Sequence, residues 1–137
     1  MLIDRGKIEA NEGQWFEWED GARVQLRPIP RRKVSEFRSK NTKRGYLKHQ
    51  PVQEVDEEAY EADRTDYCIV NWDGIVEPGG APIACARENK LWLMDNYAPF
   101  SYFVNTTLAA MTTDASVIEA EAKNSSNSPG GTGSPAE

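Results

Sequence analysis

Long apolar runs are missing from this chain. No stretch reaches the roughly 18 to 20 apolar residues that span a bilayer, so no membrane-crossing helix is expected. Histidine is nearly absent too. The one copy, His49, lies among cations with no carboxylate or thiol beside it in sequence, and it reads as solvated or structural. The two cysteines, Cys68 and Cys85, fit no zinc spacing, and a reducing compartment argues against a disulfide between them. A calcium loop with alternating oxygen ligands, a central glycine and a closing Glu is not found. The glycine-rich EPGGAP lacks both the strand before it and the Lys-Ser/Thr after it that a phosphate loop needs. These absences lead us to expect no enzyme, no cofactor and no metal. The opening MLIDRGKIEANEG has no apolar run followed by a small-residue cleavage site, so no signal peptide and a cytosolic location are expected.

What is present is acidic and compact. The 137 residues suffice for one domain with a core, and the formal net charge of −6 argues against nucleic acid or anionic lipid as the main partner. Asp20-Gly21 is a turn signal between the strand formers Trp15, Phe16 and Trp18 and the alternating run Arg23 to Arg27. This predicts a β-hairpin over 14–19 and 22–28, ended by Pro28 and Pro30. Adjacent aromatics on a strand face opposite ways, so Trp15 or Phe16 should look away from the core. A short helix is expected after Pro30, then a loop through NTKRGYLKHQP. Asp56 should cap a helix over 56–72 whose apolar end YCIV forms a buried spine. Gly74 and the Pro78-Gly79-Gly80 turn then break the chain. Further helices are expected over 87–96, from Pro99 onward, and after Asp114. From Asn124 the Ser, Gly and Pro content predicts a flexible tail.

The expected architecture is therefore α+β and mainly α. An N-terminal arm covers 1–13. A single domain covers 14–123, with the N-terminal β-hairpin packed on a small helical body. A disordered C-terminal tail covers 124–137.

Charge is blocked along the chain. Residues 31–48 carry eight cations against the lone acid Glu36, and residues 54–66 carry seven carboxylates against the lone base Arg64. The cations near Phe37 and Tyr46 would suit phosphates, but no nucleic-acid-binding motif accompanies them. Intramolecular complementarity, or steering of a protein partner, is the preferred reading. The aromatics Trp92, Tyr97, Phe100 and Phe103 have two readings: a closed core layer, or an exposed docking patch.

The stretch IVNWDGIVEPGGAPIACARENKLWLMDN resembles the tail assembly chaperones of long-tailed bacteriophages. The matching positions are Val70, Trp72, Gly74 and Ile75, then Gly79, Gly80 and Pro82, then Glu88 and Asn89, then Leu91 and Leu93. The Phe-rich helix and the EAKNSSNSPGG end are also similar to that family. Relatives usually place Ser, Thr or Pro just before the Glu, where this chain has Ala86-Arg87. The resemblance implies a host-cytoplasm factor for virion morphogenesis, absent from the mature particle. Its partners would be the tape measure protein, kept soluble, and the tail tube protein recruited around it. It also implies that Trp72, Gly74 and Gly80 form a fold signature and not an active site. The soft tail is where a frameshifted extension would attach. On our own reading of the residues, Trp92, Tyr97, Phe100 and Phe103 are the protein-binding groove and Arg31, Arg32 and Lys33 part of its rim. The alternative is a structural tail or head–tail connector protein retained in the virion.

Overall fold

A computed structural model describes residues 1–124, with side chains described through Thr112. The expected 124–137 tail lies almost wholly outside the described residues. The architecture is α+β and mainly α, with the order α1 (Arg5–Ala10), β1 (Gln14–Glu17), β2 (Arg23–Leu26), α2 (Arg31–Lys40), β3 (Thr42–Leu47), β4 (Gln50–Val55), α3 (Glu57–Cys68), β5 (Ile69–Asp73), α4 (Arg87–Asn96) and α5 (Ala98–Asn124).

The Asp20-Gly21 hairpin forms as the sequence predicts, with positive φ at Asp20 (53°) and Gly21 (79°). Phe16 pairs with Val24 and packs on the core, while Trp15 stays on the outer face beneath the Arg23 guanidinium, 4.8 Å from its ring. The hairpin gains a third strand. β5 pairs antiparallel with β2, giving a sheet of order β1-β2-β5. This corrects the spine helix expected over 56–72, which ends at Cys68. The β-branched pair Ile69-Val70 fits a pleated ladder better than a helix. The otherwise bare edge of β2 supplies the partner. A register shift opposite Gln25/Leu26 puts Leu26 against Ile69 and Val24 against Trp72. That irregularity lets Ile69 and Trp72, three residues apart, both turn inward, which strict alternation forbids.

The core forms where this inner sheet face meets α4 and α5, with Val24, Leu26, Cys68, Ile69, Trp72, Leu93, Phe100, Val104 and Leu108 buried together. Trp72 locks the loop after β5, its indole Nε1 donating to the Ile83 carbonyl at 2.7 Å. Gly74 has φ +82°, and a Cβ there would lie 2.9 Å from the Gly21 carbonyl oxygen. Only glycine meets both conditions. The Pro78-Gly79-Gly80 turn is closed by Gly80 N–H donating to the Glu77 carbonyl (2.8 Å) and by a Val76–Pro82 bridge. The Trp-Asp-Gly segment is thus a strand end bolted to a turn.

Three further expectations change. NTKRGYLKHQP is not a loop but most of a second hairpin, β3–β4, whose turn places Lys48 and His49 at φ 51° and 68°. Asp114 starts no separate helix, because α5 runs unbroken to Asn124 with no Gly or Pro to stop it. The arm over 1–13 contains α1, and Asn11 ties it down by donating to the Pro28 carbonyl (3.1 Å) and the Tyr67 hydroxyl (2.7 Å). α4 starts after Ala86 with no side-chain cap. Asn89 instead reaches back to the Ala84 carbonyl at 2.9 Å.

Candidate protein-binding site

The four aromatics expected to form one groove are divided by the fold. Phe100 is wholly enclosed (0% exposed), Phe103 is half-buried, and Trp92 and Tyr97 are exposed at 61% and 45%. As a docking residue Phe100 is therefore corrected: its ring sits edge-on to both Trp72 (5.9 Å) and Trp18 (5.4 Å). Trp18, which sequence reasoning left in the hairpin, organises this knot. It also meets Tyr97 at 6.2 Å and stacks on Phe103 at 5.7 Å. Of the expected rim, Arg31 and Arg32 are exposed on α2, while Lys33 is half-buried, pairs with Glu36 and lies over the Phe37 and Tyr67 rings.

A groove runs between α3 and α4. Ala59, Ala62, Thr65, Leu91 and Met94 line it, with the carboxylates Asp56, Glu58, Glu61 and Asp95, around a volume of about 430 Å³. Its origin is local. Ala59 and Ala62 are three apart on α3 and too short to fill the space that Leu91 and Met94 face across from α4. Each of the four acids has a calculable role in the fold or none. Asp56 caps α3 through the Ala59 amide at 3.1 Å and pairs with Lys43 at 3.1 Å. Glu61 pairs with Arg64, and Glu58 and Asp95 meet no cation among the described residues. Its half-buried lining is apolar at Ala59, Ala62, Leu91 and Met94 and its exposed lining is anionic, so the groove as a whole is more polar than apolar.

The chain matches no family model, no curated protein and no solved structure. Function is therefore read from the groove, the second hairpin and the charges.

The two charge blocks meet each other within the molecule. Arg38 reaches Glu57 (3.4 Å), Lys40 reaches Asp63 (3.3 Å) and Lys43 reaches Asp56 (3.1 Å). Asp63 is the buried member. It also accepts from Asn41 at 2.8 Å and from Arg87 at 2.9 Å, joining α2, α3 and α4. Beside it Asp66 takes Arg87 at 3.5 Å and the buried Lys90 at 3.0 Å. Burial alone would raise the Asp63 carboxyl, but hydrogen bonds from Asn41, Arg87 and Lys40 outweigh it and hold the group below its usual range. The Ala59 amide, then Lys43, do the same for Asp56.

Both carboxyls are more acidic folded than unfolded. Their stabilising contribution is complete above the unfolded value of about 4 and is lost as pH falls through the lower folded values. Acid titration followed by circular dichroism should therefore show stability falling below about pH 4, and Asp63→Asn should flatten that fall. An unchanged slope in Asp63→Asn would remove Asp63 from the account.

The remaining reactive groups are dispersed. Cys68 lies in the core and Cys85 is half-buried, and burial pushes both thiols up. His49 is in the exposed β3–β4 turn. Among the described residues no group of three or more His, Cys, Asp or Glu is placed to hold a metal ion, and no helix is long and apolar enough to cross a membrane.

Proposed function

We propose that this chain acts by binding another polypeptide, with the α3–α4 groove receiving an amphipathic helix. In the cell it is a tail assembly chaperone of a long-tailed phage. The carrying observation is the groove itself, an apolar floor of Leu91, Met94, Ala59 and Ala62 under a rim of four carboxylates. A helix laid in such a groove buries an apolar stripe, and its flanks pair with the rim. The rim is acidic, so the complementary helix carries Lys or Arg beside its stripe. This reverses the sign expected when residues 31–48 were the rim. A tape measure protein, long and helical, supplies segments of that kind, and shielding them keeps it soluble until tail tube subunits assemble. The factor then leaves, so it is a host-cytoplasm protein missing from purified virions.

The test uses the full chain and two synthetic helices with one leucine stripe, flanked in one by Lys and in the other by Glu. Fluorescence anisotropy should show binding of the Lys helix and little of the Glu helix. Leu91→Asp should weaken the Lys helix by about tenfold or more, since burying one leucine is worth roughly 1.5–3 kcal/mol and each 1.4 kcal/mol is a decade of affinity. Equal affinity for both helices, or no response to Leu91→Asp, would sink the groove assignment. Co-expression with the tape measure protein and pull-down then tests the phage reading.

A further inference from the structure

The β3–β4 hairpin is an arm with nothing covering it. Apart from its base at Thr42 and Val55, every residue of both strands is exposed, including Tyr46 (80%), Leu47 (65%) and Val52 (38%). An isolated two-stranded hairpin is marginal in water. This one also holds two non-glycine residues, Lys48 and His49, in the left-handed region at its turn. Its charge opposes that of the molecule. Lys43, Arg44 and Lys48 face the single acid Glu54 on a chain of net charge −6, and Arg44 and Lys48 meet no carboxylate among the described residues. The arm needs an acidic, partly apolar surface to lie on.

We propose that the arm of one copy docks in the α3–α4 groove of a second copy, so that two chains exchange arms in a reciprocal two-fold dimer. The inference rests on the groove being a binding surface, as proposed above. Tyr46, with Pro51 opposite it, meets the apolar floor, and Arg44 on the same face and Lys48 at the turn meet Glu58, Glu61 and Asp95. The same pairing already occurs within one chain at the arm's base, where Lys43 meets Asp56, itself a groove residue. The arm's tip does not reach its own groove. β4 runs from Gln50 to Val55, next to Asp56, and at about 3.4 Å per residue its tip stands roughly 17 Å from that edge. Arm-to-arm strand pairing is the poorer solution. Pro51 removes a donor from the outer edge of β4. Pairing β3 with its own copy would bring together two strands that each carry Lys43 and Arg44 and no acid. Arm exchange also makes a partner helix a competitor for the groove, so partner binding releases single chains.

Sedimentation velocity at low ionic strength tests this with the full chain and two charge-reversed pairs, R44E/K48E on the arm and E58K/E61K in the groove. All four positions are exposed, and circular dichroism verifies that both variants fold. The wild type should sediment at twice the chain mass and each variant alone at the chain mass. An equimolar mixture of the two variants should return to twice the chain mass, because each arm then meets a groove of opposite sign. Tyr46→Ser should also give single chains, through loss of apolar burial. A monomeric wild type overturns the proposal, as does a dimer indifferent to the reversals or a mixture that stays monomeric. A monomeric wild type that binds the Lys helix would leave the functional reading standing. A dimer that obeys the reversals but ignores that helix would leave the arm exchange standing alone.

Discussion

Trp72→Ala should lower the unfolding free energy by about 3–5 kcal/mol, the range for removing a buried aromatic from a packed core. Three losses coincide at this position. The indole fills the space between β5 and α5, where it meets Phe100 edge-on at 5.9 Å. It also opposes Val24 across the β2–β5 ladder. Its Nε1–H holds the Ile83 carbonyl at 2.7 Å, and that contact fastens the loop between β5 and α4 to the sheet. Truncation opens a cavity and frees the loop in one step. Trp72→Phe separates the terms. It keeps much of the ring and removes the donor, so roughly 1–3 kcal/mol of the loss should remain. A domain of this size has on the order of 7–20 kcal/mol of total stability, so Trp72→Ala should fold but shift its urea midpoint far down. A midpoint for Trp72→Ala indistinguishable from wild type would mean that the strand end does not organise the core.

The second large effect is asymmetric. Asp66→Ala should cost roughly 3 kcal/mol, at the lower end for breaking a buried pair, whereas Lys90→Met should be close to neutral. The reason lies in which partner can return to water. The Lys90 side chain is 9% exposed, and its ammonium donates to the Asp66 carboxylate and to the Asp66 backbone carbonyl, both at 3.0 Å. Removing the carboxylate leaves a cation enclosed with one backbone acceptor. Removing the cation leaves Asp66 36% exposed and still beside Arg87, so its charge stays solvated. Asp63→Ala should cost less than Asp66→Ala although Asp63 is the more buried acid. Its cationic partners Lys40 and Arg87 are 64% and 47% exposed and simply turn outward, and Asn41 keeps its bond to the Phe37 carbonyl. Denaturant unfolding of the three variants measures the order directly. If Lys90→Met proved as damaging as Asp66→Ala, the desolvation argument would be wrong and the pair would be stabilising in its own right.

Much of the helical framework was legible because its signals are local. Pro30 opens α2, Asp56 caps α3, and Pro99 sits in the first turn of α5, each where chain chemistry favours a helix start. Asp20-Gly21 announces the first hairpin in the same way. The strands that escaped detection lack such signals. Lys48-His49 is not a usual turn pair, and an arm exposed on both faces has no reason to alternate polar and apolar residues. Ile69-Val70 follows a helix without a break, and only the presence of β2 alongside makes a strand of it. The candidate site was less legible still. The aromatics of α4 and α5 were visible, but a sequence cannot say that Phe100 turns inward to Trp18 and Trp72 while Trp92 turns out. The acids of α3 were visible as a solvated face, and it takes Leu91 and Met94 from α4 to make them the rim of a groove.

By itself the sequence determined the class of the fold, most helix starts, the first hairpin and the opposition of a basic block to an acidic one. Each of these depends on neighbours within a few residues, or on charges that attract wherever the chain carries them. Tertiary structure alone decided that β5 is a strand, that the second hairpin stands free, and that the acids surround an apolar cleft. Those outcomes depend on which surfaces remain uncovered after packing, and no local preference encodes that.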